Sequence, residues 1–176
     1  LLDLNVVLNE LDPRIRSLAG KGISLEMVLQ SEPAPVVVDR QQIEQIVTEL
    51  VSNACEAMPN GGRLVVSTGA DTVDEDTAGE QAVKAGAYVQ LAVRDTGCGI
   101  SPEMQAHLFE PFFGRKGEET GRGLGLASVY GIVKQNGGFI RVASERHEGT
   151  VFTVAFPRSE QVHPVLATGM DPVSDG

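Results

Sequence analysis

Asp39-Arg-Gln-Gln-Ile43-Glu-Gln-Ile46-Val47-Thr-Glu49-Leu50-Val-Ser-Asn53-Ala54-Cys-Glu-Ala57-Met58 is the stretch on which the fold turns. At 100° per residue Ile43, Ile46, Val47, Leu50, Ala54 and Ala57 fall on one face, so a helix from Arg40 to Met58 must lay that face on a sheet. Asp39 reads as its N-cap, with Gln42 three residues on completing a capping box, and Pro59-Asn-Gly-Gly62 stops it. Gln42, Glu49, Asn53 and Glu56 line the edge of the apolar face. Glu49 and Asn53 are four apart and so point the same way from adjacent turns. They present a carboxylate and an amide oxygen to one spot, and oxygen ligands suit Mg2+, which takes the rest of its octahedron from waters and phosphates.

Upstream of that helix, residues Leu4 to Ala19 carry Val7, Leu8, Leu11, Ile15 and Leu18 close to helical spacing, interrupted by Pro13, which predicts a helix or a broken helix. Ile23 to Leu29 alternates as a strand does, and Val36 to Val38 predicts a second short one. Downstream, Arg63 to Thr68 reads as a strand and Tyr88 to Val93 as its partner, joined by residues 71–87, which are acidic, small and aperiodic and read as a solvent-exposed hairpin loop. Residues 101–108 suit a short helix capped by Ser101 with Pro102 in its first turn. Leu124 to Asn136 predicts a second long helix, apolar on most of its circumference and therefore buried. Phe139 to Ser144 and Thr150 to Phe156 form a closing hairpin, and 158–176 mixes Pro, Ser, Gly and Asp as a linker would. Hairpins imply antiparallel pairing, and two long helices have apolar faces to hide. One sheet under a layer of helices, an α+β two-layer sandwich, satisfies both demands.

A chain of 176 residues with 41% hydrophobic content fills one domain, read here as 1–157, and is too short for two ordinary ones. No apolar run approaches the roughly 20 residues that span a bilayer, so no direct membrane contact is expected. The formal charge of -10 argues against a nucleic-acid surface, which needs a basic stripe to neutralise phosphates. Against that background Arg115, Lys116 and Arg122 make a local basic cluster beside a glycine run, where a polyphosphate would find counter-charge. Cys55 and Cys98 are far apart with no second pair, which suggests neither a zinc site nor a disulfide framework.

Two further sites are chemically legible. Asp95 ends a strand and enters Thr-Gly97-Cys-Gly99, where glycines permit sharp turns and the close approach of a flat ring. A carboxylate only accepts hydrogen bonds, so it can select the exocyclic amine of adenine against the carbonyl of guanine. Gly121, Gly123 and Gly125 precede a helix, where exposed amides and the positive dipole end can meet phosphates. The run is not a P-loop, since Gly-x-x-x-x-Gly-Lys is absent.

Taken in order, Glu49-Leu-Val-Ser-Asn53-Ala, Asp95-Thr-Gly97-Cys-Gly99, Phe109-Glu-Pro-Phe-Phe113 and Gly121-Arg-Gly123-Leu-Gly125-Leu126 resemble the motifs of the ATP-binding catalytic domain of sensor histidine kinases. The likeness runs from about Asp39 to about Pro157. It implies the Bergerat ATP-binding fold, ATP and Mg2+ as ligands, Asn53 as the residue holding the ion, and Asp95, Gly97, Gly99 and Ile100 at the adenine. It further implies Lys116, Gly121, Arg122, Gly123, Leu124 and Gly125 near the phosphates, with Thr150 of Gly149-Thr150 near the adenine. Residues between Ile100 and Gly121 would form a lid over the nucleotide. Two departures stand out. Most kinases of this type carry Asn where Glu49 stands, whereas the related ATPases carry a Glu that orients the attacking water, so Glu49 is open between general base, water ligand of Mg2+ and a structural role. Arg122 stands where the family has a small residue or Thr.

None of His107, His147 and His163 is followed by the acidic residue and proline of a phosphoacceptor helix. The resemblance therefore implies a catalytic half whose acceptor histidine lies on a dimerisation domain of the same parent protein, entered through residues 1–22. It also implies a response regulator or receiver domain as the next partner, and a cytoplasmic location under a parent that can be anchored in the inner membrane. Two other functions compete: a self-contained ATPase of the same superfamily, favoured by Glu49, and a nucleotide-sensing module without catalysis.

Overall fold

The computed structural model describes residues 1–111 and 125–160. Its elements are β1 (Leu2–Asp3), α1 (Leu4–Ala19), β2 (Ile23–Val28), β3 (Pro35–Val36), α2 (Arg40–Glu56), β4 (Gly62–Val73), α3 (Glu75–Gln81), β5 (Gly86–Asp95), α4 (Pro102–Gln105), α5 (Gly125–Gln135), β6 (Phe139–Glu145) and β7 (Gly149–Pro157). Five strands form the main sheet in the order β2-β4-β5-β7-β6. β2 runs parallel to β4, and every other neighbour in that sheet is antiparallel. β1 and β3 make a separate two-stranded ribbon, with Leu2 opposite Val36.

Helix α2 is the keel of the main core. Ile43, Ile46, Val47, Leu50, Val51 and Ala54 are buried, and Asp39 caps the helix by accepting the Gln41 N–H at 2.8 Å. Ala57, expected on the buried face, lies past the last turn, and Val51 takes its place. Gln42 does not close a capping box: its Oε1 accepts from Asn136 Nδ2 at 3.1 Å and so ties α2 to the far end of α5. Helix α1 continues through Pro13 without a break, because Leu8, Leu11 and Ile15 are buried on both sides of the proline. Its face turns slightly from the expected one, with Ala19 buried and Leu18 exposed. Arg40 bridges Glu10 of α1 and Glu44 of α2 across the surface of that pair.

The acidic stretch read as an open loop is largely structured. β4 runs on to Val73, which pairs with Gly86, and α3 follows, capped by Asp74 accepting the Thr77 N–H at 2.7 Å. Ala78 of α3 packs with Val73, Tyr88, Phe139 and Ala155 in a second small core. Those residues alternate with Val89, Ile140 and Phe156 of the main core, so α3 covers one corner of the sheet face opposite α1, α2 and α5. Helix α5 is less buried than its composition predicts. Only Val129 and Val133 of α5 are fully buried, and Tyr130 is exposed. Beyond β7, the backbone N–H groups of Arg158 and Ser159 donate to the carbonyls of Ala87 and Pro35, so the first tail residues are still held by the fold. Among the described residues no helix is long and apolar enough to cross a membrane.

Candidate functional site

Three strands end alike. On the helix-facing side, alternation gives Leu91, Val93, Asp95 along β5, Val154, Phe152, Thr150 along β7 and Ile140, Val142, Ser144 along β6. The register sets Asp95 opposite Thr150 and Thr150 opposite Ser144, so three apolar columns finish in one polar row. Asp95 is 4% and Thr150 3% exposed. Burial pushes the Asp95 carboxyl above the usual aspartate range, partly offset by backbone N–H groups of Gly97, at 2.9 Å, and of Thr150. A carboxylate placed there works against folding. Its presence calls for a functional reason.

The loop after Asp95 is clamped from two sides. Cys98 N–H donates to the carbonyl of Ala57 at the end of α2, and Cys98 C=O accepts from His147 N–H in the β6–β7 turn. A Cβ on Gly97 would lie 2.5 Å from the Ala57 carbonyl oxygen, and one on Gly99 would lie 2.1 Å from that of Glu145. These glycines are thus required by the protein's own backbone, a constraint additional to the sharp turns and ring approach that the sequence suggested. Ile100 N–H donates to Ser144 Oγ at 2.8 Å, and Gln105 Nε2 donates to the carbonyls of Ile100 and Ser144, at 2.8 and 3.2 Å. Ser144, Gln105 and the Ala57 carbonyl escaped the sequence reading. Ser144 could have been found from its place at the end of the Ile140–Val142 alternation.

On α2, Glu49 and Asn53 are half-buried and one turn apart. Gly125 opens α5 against Glu49, where a Cβ would fall 2.2 Å from Glu49 Oε2. The Glu49 carboxylate thus lies beside a helix N-terminus, whose positive end suits it. Asn53 Nδ2 is buried and has no hydrogen-bond partner among the described residues. The last turns of α2 link the two groups: Asn53 and Glu49 lie just before Ala57, which holds the Asp95–Gly99 loop. Phe109 stacks on Tyr130 of α5, ring centroids 5.4 Å apart, joining the segment after α4 to α5. Lys116, Gly121, Arg122, Gly123 and Leu124, like Phe112, Phe113, Arg115, His163 and the glycines Gly114 and Gly117, lie outside the described residues.

Residues 38–160 match the family of Histidine kinase-, DNA gyrase B-, and HSP90-like ATPases. The chain belongs to that family. It is 40% identical over 158 residues to the sensor kinase CckA of Brucella abortus, covering 89% of this chain and 17% of that protein. It is 35% identical over 159 residues to sporulation kinase D of Bacillus subtilis, covering 89% of this chain and 28% of that one. Among solved structures, the mycobacterial sensor histidine kinase MprB superposes with a TM-score of 0.69 at 26% identity, over 89% of this chain and 97% of that one. Full-length ShkA in complex with AMPPNP gives 0.63 at 26%, over 92% and 30%. These relatives make the chain a histidine-kinase-type ATPase domain with the Bergerat fold, and they do not favour the self-contained ATPase. The chain spans less than a third of the length of these two curated relatives.

Proposed function

We propose that this domain binds Mg-ATP and passes the γ-phosphoryl group to a histidine carried by a dimerisation domain of the same parent protein. The observation that carries the reading is the buried Asp95, a carboxylate ending an apolar column, held by two backbone N–H groups and set beside a second polar residue, Thr150. On this reading Asp95 accepts from the adenine amine, and Thr150, Gly97, Gly99 and Ile100 shape the base pocket. Gly125, with Lys116, Gly121, Arg122, Gly123 and Leu124, serves the phosphates. Asn53 would hold Mg2+. The fit is supported by its unpartnered amide, because a turn of that side chain exchanges nitrogen for oxygen and nothing in the described structure claims either position. The ion would neutralise charge on the phosphates during transfer. On the same reading Glu49, beside the start of α5, would orient a water or a metal-bound water. Catalysis then rests on positioning and charge rather than on a covalent intermediate. Residues 1–157 would be the catalytic domain, entered through 1–22 and left through a linker from 158. A response regulator or receiver domain would take the phosphoryl next, in the cytoplasm.

The test is transfer in two parts. The purified chain, given ATP, Mg2+ and a separately made dimerisation domain, should label that domain's histidine with acid-labile phosphate. Asn53→Ala should slow the transfer about a hundredfold or more while leaving metal-free ADP binding near normal. Steady hydrolysis by the chain alone, dependent on Glu49 and without transfer to the added domain, would reverse the assignment.

A further inference from the structure

Ser144 sits at the end of β6, opposite Thr150, and its hydroxyl has three neighbours: the Ile100 N–H at 2.8 Å, the Gly149 carbonyl at 3.0 Å and Thr150 Oγ1 at 2.8 Å. A hydroxyl has one proton to give and two lone pairs to fill. The Gly149 carbonyl can only accept, so the Ser144 proton goes there. The Ile100 N–H fills one lone pair of Ser144, and Thr150 must donate its own proton into the other. No other arrangement satisfies all three contacts.

This assignment has a chemical consequence one residue further on. With its single proton committed to Ser144, the Thr150 hydroxyl offers only lone pairs to anything else that approaches it. Its cross-strand neighbour on the same face is Asp95, which when ionised is also acceptor-only. Two acceptors side by side suit a group with two protons to give, such as the 6-amino group of adenine. A 6-carbonyl, as in hypoxanthine or guanine, would face lone pairs from both. Without Ser144, Thr150 could turn and donate to that carbonyl, softening half of the rejection.

We infer that Ser144 is a specificity-determining positioning residue of the nucleotide site, acting through Thr150 to make the pocket reject 6-oxopurines. The inference rests on the adenine reading of Asp95 and extends it from one residue to a hydrogen-bond order across three strands. Ser144 itself touches no nucleotide. It is distinguishable from a merely structural residue because it should move the ratio of two affinities, where loosened packing would lower both together.

The experiment is calorimetry on the whole chain with ATP and with inosine triphosphate, which differs from ATP in the 6-position and the N1 proton. The parent should prefer ATP by about a hundredfold or more, since a site built to bind an amine leaves buried groups unpaired with a carbonyl. Ser144→Ala should narrow that preference about tenfold, and Ser144→Thr, which keeps a hydroxyl, should restore it. Thr150→Val, close in shape but without the acceptor, should narrow it as well and stands in if Ser144→Ala does not fold. No preference in the parent would overturn the adenine reading itself. A strong preference in the parent that survives both Ser144→Ala and Thr150→Val, or equal weakening of both ligands in each, would overturn the role of Ser144 alone.

Discussion

Tyr88 near the start of β5 and Asp95 at its end are 2% and 4% exposed, yet the protein treats the two burials in opposite ways. At the Tyr88 end the strand is closed by α3 and by an apolar cluster, with the Tyr88 and Phe139 rings 5.5 Å apart and tilted. At the Asp95 end the strand runs into a loop held between the last turn of α2 and the β6–β7 turn. Burial raises the proton affinity of both side chains. For a phenol that is harmless, because it is neutral at pH 7 in any case. For a carboxylate it means that the folded state carries a charge it would be more stable without. On the proposed reading one end of the strand serves stability and the other binding, and substitutions should separate the two.

The largest effect belongs to the stable end. Tyr88→Ala empties the centre of the second core and should cost about 3–5 kcal/mol in urea unfolding. ATP affinity of the molecules that remain folded should stay within about twofold, since the site lies at the other end of the sheet. A matching loss of affinity would show that the two ends are coupled, which breaks the contrast. The next largest belongs to the binding end. Asp95→Asn keeps an oxygen for the Gly97 N–H but turns a donor toward the adenine amine, and ATP affinity should fall about a hundredfold, some 2.7 kcal/mol. Stability without nucleotide should hold or rise, as is common when a strained functional group is removed. Unchanged ATP binding by Asp95→Asn would sink the assignment of the base.

What the sequence disclosed follows the same division. Helix α2, the β6–β7 hairpin and the caps at Asp39 and Ser101 were legible because period, cap and breaker agree there. Helix α3 was not, since Glu75 to Gln81 buries a single alanine and forms only because Asp74 caps it and Val73 and Tyr88 lie beneath. Pro13 left α1 open between a whole and a broken helix, and the whole helix forms because packing on either side of the proline outweighs the lost hydrogen bond. The described candidate-site residues were named through motif order, but the contacts that some of them make were not foreseen. Gly97 and Gly99 answer to the carbonyls of Ala57 and Glu145, partners distant in sequence that no local pattern reveals. Ser144 ends a legible alternation on β6, but its partner Thr150 follows only from the cross-strand register.

The smallest expected effect is a pH dependence, and its sign follows from the direction of the Asp95 shift. The folded-state carboxyl holds its proton more tightly than the unfolded one, with burial as the main cause. Above the raised folded pKa, the ionised form therefore penalises folding in full. As pH falls through that value the folded chain takes up a proton first and the penalty shrinks, to vanish below the ordinary aspartate pKa. Asp95→Asn never carries the charge. Its stability advantage over the parent should accordingly be present at neutral pH and close as pH falls toward 4, read as a narrowing difference in Tm on a scale of roughly 2–4 °C per kcal/mol for a domain of this size. Both proteins must be nucleotide-free, because ATP would stabilise the parent alone. A difference that stays constant over that range, or that grows on acidification, would mean that the two backbone N–H groups outweigh burial, and Asp95 would then be an ordinary stabilised carboxylate rather than a charge the fold tolerates for its ligand.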